Sequence, residues 1–92
     1  MTMNKVKIMD QHVKPVMPKV FDDWYKNHEI SGLELDDAIE ELHICMEVWE
    51  LGYASNIGMW ISKNPKVNYR ICIEALMNGY EVSDDYGIET VN

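Results

Sequence analysis

The stretch LELDDAIEELHICMEVWELGY, residues 33–53, constrains the fold more than any other part of this chain. At about 100° per residue, Leu35, Ala38, Ile39, Leu42, Cys45, Met46, Trp49 and Tyr53 fall on one broad face. That spacing predicts a helix over about 34–53. Seven acids, Glu34, Asp36, Asp37, Glu40, Glu41, Glu47 and Glu50, spread over the opposite side with no Lys or Arg among them. Ile44, Val48 and Leu51 form a second apolar stripe in the middle of that acidic side. The helix is thus amphipathic in its first half and apolar nearly all round in its second. Two readings follow: a central helix covered by neighbours on two sides, or a seam covered by a second copy of the chain.

The flanking segments punctuate further helices. In MPKVFDDWYKNHE, Pro18 suits the first helical position, where its missing N–H costs nothing. Val20, Phe21, Trp24, Tyr25 and His28 then recur at helical spacing, and Ser31-Gly32 turns the chain. SNIGMWISKN reads as a short helix capped by Ser55, with Ile57, Trp60 and Ile61 inward. Asn64-Pro65 opens a last helix with Val67, Ile71, Cys72, Ala75 and Leu76 on one side. Gly79 is placed to end it in a left-handed conformation. Residues 1–16 read as a basic arm or a short strand, in which MNKVKIM alternates polar and apolar residues. The tail holds two β-like runs, Tyr80–Val82 and Ile88–Val91, around an Asp84-Asp85-Tyr86-Gly87 turn. They suit a small hairpin or one extended strand that pairs with the N-terminal run.

The expected fold class is therefore mostly α: a compact bundle of three to four helices with short β segments at the N- and C-terminal ends. Ninety-two residues make one domain, here residues 17–92 behind the arm. A hydrophobic content of 47% with 26% charged residues is that of a globular chain. Seven Met serve as core fillers or as an adaptable contact surface.

Charge excludes more than it proves. The net charge of −8 disfavours direct binding of DNA or RNA phosphates. Residues 1–19 carry +3, through Lys5, Lys7, Lys14 and Lys19 against Asp10, so the body from residue 20 carries −11. Cys45 and Cys72 lie inside helical patterns, which suits two reduced thiols of a cytosolic protein. The N-terminus lacks an apolar run after its lysines, and no stretch approaches the roughly 18 apolar residues of a spanning helix. A cytoplasmic protein with no membrane contact is expected.

No motif for chemistry emerges. His12, His28 and His43 form no zinc signature. The cysteines sit on apolar faces, and Ser31, Ser55, Ser62 and Ser83 have no nucleophile context. Asp36, Asp37, Glu40 and Glu41 neighbour one another at i, i+4 spacing, but periodicity turns them to solvent. The expectation is a non-enzyme with no metal and no cofactor. For the acidic run the ordinary reading is a solvated face, with Glu34, Asp36 and Asp37 favoured by the helix dipole. That reading leaves the missing bases unexplained. From residue 22 to 50 there are ten acids and one base, Lys26. A solvated helix usually mixes signs, so a surface that meets Lys and Arg on a partner is the sharper alternative.

Two segments also carry a resemblance. MPKVFDDWYKNH at 17–28, and WISKNPKVNYRICIEALMNGYEV at 60–82 with its closing ALMNGYEV block, resemble the family called domain of unknown function 1642. These are small phage and prophage proteins of streptococci, lactococci and related Firmicutes. The likeness covers about residues 15–92 and is least in the acidic middle. It implies a setting, the cytoplasm of a bacterial host, and brings no catalytic residues. With the one-signed charge it gives a functional expectation: an accessory protein that binds and blocks a host protein. An anti-defence inhibitor of the anti-CRISPR or anti-restriction type is the leading form, acting on the basic groove of a nuclease through a nucleic-acid-mimicking surface. The partner-binding residues would be Asp22, Asp23, Glu34, Asp36, Asp37, Glu40, Glu41, Glu47, Glu50, Asp84 and Asp85. The alternative is a structural or regulatory homodimer joined through Ile44, Val48 and Leu51.

Overall fold

The computed structural model describes residues 14–88. The MNKVKIM run, with the pairing expected of it, His12 and residues 89–92 lie outside the described residues. Four helices, α1 (Lys19–Asn27), α2 (Leu35–Glu50), α3 (Asn56–Lys63) and α4 (Pro65–Asn78), are framed by two short strands, β1 (Val16–Met17) and β2 (Glu81–Val82). This is the mostly helical class with β at the ends.

The strands pair in parallel, Val16 opposite Glu81 and Met17 opposite Val82. Parallel pairing needs a crossover, and here all four helices lie between the partners. The ladder continues outward through Glu81 N–H to Pro15 O at 2.9 Å and Ser83 N–H to Met17 O at 2.8 Å. The tail then caps α1. Lys19 N–H donates to Asp85 O and Val20 N–H to Tyr86 O, each at 2.9 Å. A helix N-terminus leaves such donors orphaned, and tail carbonyls satisfy two of them. Pro18 stands one position before the expected one, as the extended residue preceding α1, with φ −69° and ψ 161°.

Between α1 and α2 the chain turns through Glu29, in the left-handed region with φ 57°, and a 3-10 turn at Ile30–Gly32. α2 stops at Glu50, three residues short of the sequence reading. Gly52 N–H donates to Trp49 O and Tyr53 N–H to Val48 O, both at 3.0 Å, with Gly52 at φ +97°. That pair of bonds is a Schellman motif. Tyr53 keeps the periodicity but lies beyond the stop, and it is exposed. Ser55 caps α3 as expected, its Oγ accepting from Gly58 N–H at 3.1 Å. Gly79 does adopt a positive φ, +85°, but with ψ 174°. The chain therefore leaves α4 fully extended into β2, rather than through the left-handed helical region.

The core gathers Met17, Phe21, Trp24, Ile30, Ala38, Leu42, Ile57, Ile61, Cys72 and Ala75, all buried. Phe21 is its hub: its ring lies 5.4 Å from Trp24 and 4.9 Å edge-on to Tyr80. Each such fully buried side chain contributes about 1.5–3 kcal/mol. Four positions of the expected apolar faces are exposed instead: His28, Leu35, Tyr53 and Val67. Each lies in the first turn of a helix or within three residues beyond its end. The second stripe of α2 is covered only in part, since Ile44 and Leu51 are exposed and Val48 is half-buried. α2 therefore buries one face, not two.

α2 and α3 approach closely because residue 58 is glycine. A Cβ there would sit 2.6 Å from Cys45 O and 2.8 Å from Trp49 Cβ. α4 is tied to α3 by Asn68 Nδ2 donating to Trp60 O at 2.9 Å.

Candidate partner-binding surface

With Ala38, Leu42, Cys45 and Trp49 turned inward, helical geometry puts Asp36, Glu40, Ile44, Glu47 and Leu51 along the outward line of α2. Asp36, Asp37, Glu40, Glu47 and Glu50 are exposed. Glu34 is exposed at the residue before the helix and makes no side-chain cap bond. The Asp36 carboxylate accepts only the neighbouring Asp37 N–H, at 3.0 Å. The single ion pair among the described residues joins Lys26 Nζ to Asp22 Oδ2 at 3.0 Å. No acid of α2 has a cationic partner there.

The remaining expected acids do not all join this surface. Asp22 is engaged within the fold: besides Lys26, its Oδ1 accepts from the Tyr80 hydroxyl at 2.6 Å, and its side chain is 14% exposed. Burial pushes its pKa up, but the bonds from Tyr80 and Lys26 outweigh that and hold the carboxyl below its ordinary value. Asp85 is a turn residue: its N–H donates to Ser83 Oγ at 2.8 Å and its carboxylate accepts from Gly87 N–H at 3.3 Å. Asp84 beside it is exposed. Asp23 and Glu41 line a groove between α1, α2 and the start of α3, with a volume of about 500 Å³.

That groove is the feature sequence reasoning missed. α1 and the His28 that follows it supply Val20, Asp23, Trp24, Asn27 and His28, α2 supplies Glu41, Ile44, Cys45 and Val48, and Ala54–Ile57 with Tyr86 close it. Its ingredients come from four separate segments, so no spacing in the sequence announces it. Trp24 is 4% exposed, and its Nε1–H is buried with no hydrogen-bond partner. Burial pushes the Cys45 thiol up, partly offset by Trp24 and reinforced by Glu41. On the far flank of α2, His43 Nε2 and the Tyr69 hydroxyl share a 2.7 Å hydrogen bond. Among the described residues no three His, Cys, Asp or Glu side chains come together where they could hold a metal ion. No helix among them is long and apolar enough to cross a membrane.

Fold and surface together define a small helical domain with a one-signed outward helix and a mixed groove along its flank. No family model, curated protein or solved structure matches the chain.

Proposed function

We propose that this chain is a non-catalytic binding protein that blocks a nucleic-acid-handling protein of a bacterial host, presenting the carboxylates of α2 to a basic groove in place of phosphates. The single observation that carries this is the unpaired charge of α2. Its exposed acids have no cation within ion-pair reach among the described residues. Like charges kept together on one helix cost stability, and a partner rich in Lys and Arg would offset that cost on binding. The surface is that of Glu34, Asp36, Asp37, Glu40, Glu47 and Glu50, with Asp23 and Glu41 in the groove beside it. The resemblance to phage and prophage proteins supplies the setting, and an anti-CRISPR or anti-restriction inhibitor is the form it favours.

The homodimer has one observation in its favour, the exposure of Ile44 and Leu51, at 45% and 69%. A two-fold contact through them would place Glu40, Glu47 and Glu50 of one copy against the same residues of the other, because such an interface is self-complementary. That repulsion favours a different, basic partner.

The test is capture by the tagged full chain from a streptococcal lysate, washed at rising salt. A nuclease or other nucleic-acid-binding protein, released by salt and displaced by added DNA or RNA, is the expected product. Recovery of the chain alone would overturn the proposal.

A further inference from the structure

We propose that the groove between α1, α2 and the start of α3 receives a short basic segment of the partner, an extended stretch with an arginine side chain between Asp23 and Glu41 and apolar neighbours on the floor. This rests on the acidic-surface reading above and adds a specific seat to it. Three features of the groove select that occupant. Its lining includes the apolar side chains of Trp24, Val48 and Ile57, and its volume of about 500 Å³ falls within the roughly 300–1,000 Å³ of ligand sites. Its two carboxylates, Asp23 and Glu41, have no ion-pair partner among the described residues. Its buried Trp24 carries an N–H without an acceptor.

Each feature also removes a rival. An anion would meet two carboxylates. A metal ion would find no third ligand among the described residues. A second copy of this chain would bring more carboxylates than bases. A peptide segment supplies what the groove lacks: a planar cation whose fork bonds carboxylate oxygens in pairs, apolar side chains for the floor, and backbone carbonyls. A backbone carbonyl that reaches the Trp24 N–H gives it the acceptor it is missing. A buried donor left unsatisfied is costly, which makes the groove the expected anchor of the interface.

The probe is the blocked peptide acetyl-Gly-Arg-Leu-Arg-Leu-Gly-amide, titrated into the isotopically labelled full chain and followed by NMR. Trp24→Phe identifies which indole signal belongs to Trp24. The expected result is a saturable downfield movement of that signal together with the Val48 and Ile57 methyls. Glu41→Lys should weaken binding about tenfold, while Glu74→Lys, the same charge change on the exposed side of α4, should leave the affinity within about twofold. The peptide with glutamates in place of its arginines should not bind. An unmoved Trp24 signal, or equal weakening by Glu41→Lys and Glu74→Lys, would overturn the inference. Shifts confined to the outward line of α2 would overturn the groove and leave the acidic surface standing, since that surface is tested by its own charge reversals.

Discussion

The Tyr80 hydroxyl donates a 2.6 Å hydrogen bond to Asp22, joining the start of the tail to α1 across most of the chain. The bond closes an aromatic cluster in which Tyr80 meets Phe21 and Tyr25 edge-on, at 4.9 and 5.4 Å. It explains why an acid beside Asp23 is not a free surface charge.

Tyr80→Phe should lower stability at pH 7 by about 1–2 kcal/mol, the worth of a hydrogen bond to a charged group with Lys26 still in place. The sign of the pH effect follows from the depressed Asp22 pKa. Its contribution is present above the unfolded carboxyl value of about 3.9 and is lost as pH falls through the lower folded value. The raised Tyr80 pKa, set first by burial and then by Asp22, acts at the other end. Its contribution is full below about pH 10 and declines as pH rises beyond that. Urea denaturation at pH 7, 5 and 3 should show a shallower acid slope for the variant.

Gly58→Ala should destabilise the fold by about 1–3 kcal/mol through overpacking, although alanine would otherwise favour a helix interior by about 1 kcal/mol. The added methyl meets the Cys45 carbonyl at 2.6 Å, and backbone cannot swing aside as a flexible side chain could. Thermal unfolding with and without the substitution checks the sign.

What could be read in the sequence was what residue type dictates locally. The helical periodicity of Ala38, Leu42, Cys45 and Trp49, the cap at Ser55 and the proline at residue 65 each name their own element. Contacts between distant backbones carry no such label. Nothing in Asp85 or Tyr86 marks their carbonyls as caps for α1, and nothing in Glu29 marks a left-handed turn. Gly58 could have been suspected, as a glycine inside a helix with no turn to serve. The acids of α2 were legible as a face because one helix holds them. Asp22 was misplaced because its partner, Tyr80, is remote in sequence.

The two thiols should separate in reactivity. Burial pushes Cys72 far up and Cys45 up less, with Trp24 and Ser55 pulling against it. A raised pKa means less thiolate at pH 8 and slower alkylation. Iodoacetamide at pH 8 should modify half-buried Cys45 more slowly than free cysteine, and Cys72 only after unfolding. Mass spectrometry over time reads both. The Cys72 contribution to stability is full below its unfolded value of about 8.5 and falls as pH rises beyond it.

At high concentration the chain should scatter light as a monomer, since Glu40, Glu47 and Glu50 oppose self-association through the exposed Ile44 and Leu51. Leu51→Glu should leave that mass unchanged. A dimer that Leu51→Glu dissolves would favour the homodimer instead.

The decisive measurement compares the native chain with D36K/D37K/E40K/E47K in salt-graded capture of the host protein, with circular dichroism confirming that both fold. These four side chains are exposed and make no ion pair among the described residues, so the helical signal should be kept, with a loss of about 0.3–1 kcal/mol for each lysine set in the first turn of α2. The expected result is complete loss of the nucleic-acid-binding partner that the native chain retains at low salt. Undiminished capture by the reversed chain would contradict a role for the α2 carboxylates in place of phosphates.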